Sequence, residues 1–156
     1  MNLYCAETEE HPIPNKCFIL DISCKAHVCA FNGTGTLLAI GGKNGLITLM
    51  DFLTKIVVKN LPLPTGEKTV SRGNHNHNKV DSMEWSKDGE HLLALYSGLK
   101  KIIIWDIFNS VSLREFEFDS LITKLELHPQ LSTTQFCLIS GRATFIYDTV
   151  NREEIK

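Results

Sequence analysis

Along the chain, short apolar runs alternate with clusters of Gly, Asn, Asp and Ser, and no stretch keeps an apolar spacing of three and four over helical length. The pattern predicts strands and turns throughout. Ala26 to Phe31 reads as a strand, Asn32-Gly33-Thr34-Gly35 as a turn whose Asn and glycines supply positive φ, and Thr36 to Ile40 as the returning strand. Lys43-Asn44-Gly45 is a second hairpin turn, Leu46 to Asp51 a third strand rich in β-formers, and Thr54 to Lys59 a fourth. The order then repeats: Val80 to Trp85, a turn at Ser86-Lys87-Asp88-Gly89, His91 to Tyr96, a turn at Ser97-Gly98, Lys101 to Asp106, and Val111 to Phe118. A third copy runs through Ile122 to Leu127, His128-Pro129, Gln135 to Ile139, Ser140-Gly141-Arg142 and Ala143 to Asp148. The chain stops at Lys156, where its fourth strand should begin.

The third strand of every copy closes on a large apolar residue followed by aspartate: Met50-Asp51, Trp105-Asp106 and Tyr147-Asp148. The apolar residue that opens the first turn, Phe31, Trp85 or Leu127, lies 19, 20 and 20 positions earlier. The aspartates are 55 and 42 residues apart, and the second value falls in the window of about 40 to 45 that marks WD-type propeller blades. The first interval carries an insertion. The expected fold is therefore all-β, a WD-repeat β-propeller with about three four-stranded antiparallel blades of an incomplete propeller. Its parts are a tail over 1–21 that could supply a closing strand, blades at 22–59 and 80–118, an insertion loop at 60–79, and an incomplete third blade at 119–156. Sandwiches and barrels also use short strands, but neither demands four strands closing on an aromatic-Asp pair. A Trp or Tyr at that position fills the gap between neighbouring blades while its N–H or O–H finds a polar partner. Its Asp bonds backbone in the turn to the outer strand, and Met50 fills the same space without a polar handle. A stack of three blades leaves two apolar flanks bare. The expectation is a fragment or truncated product, or a chain that completes itself by oligomerising.

Composition narrows the function more than it names it. With 43% hydrophobic and 22% charged residues and a formal charge of −2, the chain is of soluble globular type and has no global electrostatic footprint for nucleic acid or an anionic membrane. No apolar h-region opens it and no run reaches transmembrane length, so neither a membrane partner nor a small-molecule substrate is expected. Cysteines 5, 17, 24, 29 and 137 lack CxxC spacing and sit mostly in apolar runs, which suits reduced core thiols. A zinc site from Cys24, Cys29, His75 and His77 is conceivable, but the reading is of no metal and no cofactor. Gly33-Thr34-Gly35 and Gly41-Gly42-Lys43 fail as phosphate loops, because Leu37, Leu38 and Asn44 stand where Gly, Gly and Ser or Thr are needed. No nucleophile elbow, HExxH or paired carboxylates point to catalysis, so the reading is of a non-enzyme with no catalytic residues. The 60–79 link holds two of the five prolines, three Lys or Arg residues and two histidines. Its Lys68, Arg72, His75, His77 and Lys79 are candidates to touch a partner or a nucleic-acid backbone.

The run FNGTGTLLAIGGKNGLITLMDFLTKIV from Phe31 to Val58 resembles the first blade of the retinoblastoma-binding protein 5 family, with Asp-Phe-Leu-Thr at 51–54 as its telling part. WSKDGEHLL from Trp85, WDI from Trp105 and FEFDSLITKLELHP from Phe116 resemble that family's second blade and the start of its third. The resemblance spans roughly Ile22 to Asp148 and an amino-terminal portion of the family's propeller. It implies a nuclear, non-catalytic scaffold subunit of COMPASS-type histone H3 lysine methyltransferase complexes. Its implied partners are the SET-domain methyltransferase, Ash2-like and other WD-repeat subunits, and the nucleosome. The family segment that activates the methyltransferase lies beyond the propeller, so scaffold contacts but not activation are expected here. Three departures stand out: Met50 replaces the first-blade Trp, Gly98-Leu99 replace an acidic turn residue, and the 60–79 link is lengthened. The competing classes are a generic WD-repeat adaptor outside chromatin and a nucleic-acid module built on the basic loop.

Overall fold

Strands joined by turns of a few residues pair most readily with their chain neighbours, antiparallel. This chain does so three times. The computed structural model describes residues 22, 25–63, 78–130, 135–148 and 154–155. Strands β1 (Ala26–Phe31), β2 (Leu37–Gly42), β3 (Ile47–Asp51) and β4 (Val57–Leu61) form the first sheet. The second comprises β5 (Ser82–Trp85), β6 (His91–Tyr96), β7 (Lys101–Asp106) and β8 (Val111–Glu117). The third comprises β9 (Ile122–Leu127), β10 (Gln135–Ser140), β11 (Ala143–Asp148) and β12 (Glu154–Ile155). Each is a four-stranded antiparallel meander in sequential order, so each is one blade. Where the sequence places no fourth strand in the third blade, β12 pairs Ile155 with Ile146 and Glu154 with Tyr147. It is a two-residue strand against the five of β4 and the seven of β8.

The blades stack through their alternating side chains. Ala39, Ile47, Leu49 and Leu61 of the first blade meet Met83, Trp85, Leu92, Ala94, Tyr96, Ile103 and Trp105 of the second in one buried core. The opposite face of the second blade, with Leu93, Leu95, Ile102 and Ile104, packs on Ile122, Leu125, Phe136 and Leu138 of the third. Alternation thus gives the middle blade two buried faces and reads in its strands as near-continuous burial, Leu92 to Tyr96 and Ile102 to Trp105.

The two outer flanks differ. On the flank before the first blade, Leu38, Ile40 and Met50 are buried with Ile22 and Leu46 against them, so this face is not bare. On the flank after the third blade, Ile139 and Ile146 are 36% and 45% exposed. The cysteine expectation is corrected as well: among the described residues Cys29 is exposed and Cys137 half-buried, both as free thiols. Cys29 follows Val28 and precedes Ala30, which pack against the second blade, so alternation turns its side chain off that core.

Candidate interaction surface

The repeat residues occupy one register in all three blades. Leu38 pairs with Phe31 and Met50, Leu92 with Trp85 and Trp105, and Phe136 with Leu127 and Tyr147. Each trio forms a row that faces the preceding blade. In the second blade the row meets the first, and Trp85 Nε1 donates to Ala30 O across the interface at 3.0 Å. In the third it meets Phe116 and Phe118 of the second, with Phe116–Phe136 and Phe118–Tyr147 ring centroids both 5.6 Å apart and edge-on. Tyr147 also stacks on Phe136 at 5.4 Å. In the first blade the row faces the outer flank, where Phe31 and Phe52 meet edge-on at 4.8 Å.

The Trp at the end of the second blade's third strand is buried, yet its indole N–H has no hydrogen-bond partner among the described residues. The bond between blades comes instead from Trp85, the residue that opens the turn. Replacing Trp85 by Phe keeps most of the ring and removes the indole donor from the half-buried Ala30 carbonyl. The expected cost is about 1 kcal/mol, read as a lower urea midpoint with unchanged slope.

Each row is followed by an aspartate. Asp51 Oδ1 accepts from Thr54 N at 2.8 Å and from Thr54 Oγ1 at 3.0 Å. Asp106 Oδ1 accepts from Asn109 N at 2.9 Å, and its Oδ2 from Asn109 Nδ2 at 2.7 Å. In both, the backbone N–H is the leading cause, and the side-chain donor the next, of a carboxyl held below its ordinary range. Asp148 is placed differently, accepting across the strand pair from Gln135 Nε2 at 3.3 Å.

Lys79 forms an ion pair with Asp81 at 2.6 Å, and Asp81 Oδ2 accepts from Ser97 N at 3.0 Å. Asp81 therefore supplies an acidic group to the turn where Gly98-Leu99 have none, a residue that sequence reasoning missed. Its signal was there, since Lys79 and Asp81 are two apart in an extended link and so share a side. Lys68, Arg72, His75 and His77, and with them Cys24 of the conceivable zinc set, lie outside the described residues.

Asp88, Glu90 and His91 bring ligand-type atoms within 4.8 Å of one another at a mostly exposed turn, where Asp88 is occupied by Ser86 Oγ and by Glu90 N. Where the second blade's inner strand meets the third's, burial first and the Glu126 charge next push the half-buried Glu84 carboxyl above its ordinary range. A groove of about 450 Å³ between the second and third blades is lined by Leu113, Arg114, Glu115, Phe116, Tyr147 and Asp148. No helix among the described residues is long and apolar enough to cross a membrane.

No family model matches the chain. A Drosophila melanogaster protein named retinoblastoma-binding protein 5 homolog is 32% identical over 111 residues, 71% of this chain and 20% of the relative. Retinoblastoma-binding-like protein E of Dictyostelium discoideum is 34% identical over 117 residues, 74% of this chain and 19% of the relative. The chain is similar to retinoblastoma-binding protein 5. It spans about a fifth of the length of the curated relatives it matches, 20% and 19% for these two. The crystal structure of the β-propeller domain of Myceliophteria thermophila Cps50 (Swd1) covers 86% of this chain and 37% of its own, with a TM-score of 0.70 at 24% identity. The fold is thus that of a WD-repeat propeller, three blades of it.

Proposed function

We propose that the chain is a non-catalytic scaffold of a nuclear, COMPASS-type histone H3 lysine methyltransferase assembly. In this reading its blades hold the SET-domain, Ash2-like and WD-repeat subunits and the nucleosome in place, while another subunit transfers the methyl group. The observation that carries the proposal is similarity to retinoblastoma-binding protein 5 homologues across more than two thirds of the chain, in animals and in an amoeba. The geometry supports a holding role: rigid meanders present turns at both ends, and the clusters found there are turn caps and ion pairs. A contact by the 60–79 link belongs to the same reading. It rests on Lys68, Arg72, His75 and His77, because Lys79 is paired with Asp81.

The test is affinity purification of the tagged chain from nuclear extract, with the retained proteins identified by mass spectrometry. Co-purification of SET-domain and Ash2-like proteins is the expected result. Their absence beside a reproducible set of other partners would replace the proposal with a WD-repeat adaptor outside chromatin.

A further inference from the structure

The turns that follow the first two rows are copies of one another. Asp51-Phe52-Leu53-Thr54-Lys55 and Asp106-Ile107-Phe108-Asn109-Ser110 share an aspartate that accepts from the N–H three residues on. In each, the fifth residue donates its N–H to the aspartate carbonyl at 2.9 Å and takes a positive φ, 61° at Lys55 and 60° at Ser110. A turn pinned at both ends this way holds its third residue outward. Leu53 is 83% exposed and Phe108 79%, the highest values among the exposed large hydrophobic residues described. Ile56, 62% exposed, closes the first turn with its carbonyl on Asp51 N at 2.9 Å. The second turn is tied to the first blade by Lys59 of β4, whose Nζ donates to Ile107 O at 2.8 Å and also to Phe108 O.

Single exposed apolar residues are ordinary on a soluble protein. Two at the same position of identically braced turns in neighbouring blades are not scattered. Their backbone is already held by the turn, which lowers the cost of ordering it on docking. Charge then selects the partner. The Lys55 ammonium donates to the Phe52 carbonyl and lies 3.3 Å from the centroid of the Phe52 ring, and the Lys59 ammonium rests on the Ile107 and Phe108 carbonyls. Each apolar knob therefore has a cation beside it, while the carboxylates of Asp51 and Asp106 are turned into their own turns.

We propose that these two turns form a docking edge for an acidic, apolar segment of a partner protein, with Leu53, Ile56 and Phe108 contacting its apolar side chains and Lys55 and Lys59 facing its carboxylates. This goes beyond the scaffold reading and does not depend on which assembly the chain joins. Failure of the nuclear purification leaves it standing, and its own failure leaves that purification untouched.

The test uses the full chain and two labelled synthetic amphipathic peptides, one of Leu, Phe and Glu and one with Lys in place of Glu, followed by fluorescence anisotropy. The Glu peptide binds and the Lys peptide does not. The double variant L53S/F108S weakens the Glu peptide by about tenfold or more, as expected for truncated apolar anchors, while its melting temperature matches the parent because both side chains are exposed. Lys55→Gln weakens binding less and flattens its salt dependence. Absence of Glu-peptide binding to the parent chain, equal binding by L53S/F108S, or equal binding of the two peptides would each overturn the docking edge.

Discussion

Truncation of Trp105 to Ala lowers stability by about 3–5 kcal/mol, the range for removing a buried aromatic ring from a well-packed core. Trp105 is 3% exposed and sits in the row with Trp85 and Leu92 that faces the first blade. The ring therefore lies in the core between the two blades, and its loss loosens the stack as well as its own sheet. Against a typical domain stability of about 5–15 kcal/mol, such a loss leaves a large share of the chain open. Trp105→Phe is the informative companion. The buried indole N–H lies near the Tyr96 hydroxyl without a hydrogen bond of good geometry, so its removal relieves part of a desolvation cost of about 1–3 kcal/mol and offsets some of the lost ring area. Urea unfolding should place W105F close to the parent and W105A far below it. Equal midpoints for the two variants would mean that the ring is not the wedge between blades.

Phasing of the fold was legible because one register repeats. The strands that open each copy end at Phe31, Trp85 and Leu127, and the third strands end at Asp51, Asp106 and Asp148, positions that the sequence marks with a large apolar residue or a WD-like pair. Alternation says that neighbours along a strand face opposite ways, but not which neighbour each face meets. Hence the sequence could not tell that Met50 turns to the outer flank with Leu38 and Ile40, or that Trp85 rather than Trp105 supplies the bond between blades. Nor does an apolar run identify a core thiol, as Cys29 shows: its neighbours Val28 and Ala30 take the buried side. Of the surface, the sequence singled out the basic link but not the braced turns. Their signal was local, an Asp followed three residues later by Thr or Asn in two successive copies, with an apolar residue held between.

The link between the first two blades has a structural anchor that a single methyl group can test. Gly45 closes the β2–β3 turn at φ +83°, and a Cβ there would lie 2.8 Å from the backbone carbonyl oxygen of Asn78 and 3.4 Å from Leu63 Cβ. Asn78 and Leu63 are the described residues on either side of the 64–77 stretch, so Gly45 holds the place where the link leaves and returns. Its own carbonyl accepts from the buried Tyr96 hydroxyl at 3.2 Å, which brings the second blade to the same point. Gly45→Ala thus combines left-handed backbone strain of about 1 kcal/mol with displacement of the Asn78 carbonyl. Gly35→Ala separates the two effects, since Gly35 has φ +70° and nothing within 4 Å of an added Cβ. G35A carries strain alone, of about 1 kcal/mol as at an ordinary left-handed turn position. G45A should lose at least twice as much by urea unfolding, and the bond from the Tyr96 hydroxyl to the Gly45 carbonyl should weaken with it, so that Tyr96→Phe costs less in the G45A background than in the parent. If G45A and G35A shift the midpoint equally, the close approach of Asn78 carries no weight and the link is not fastened at this turn.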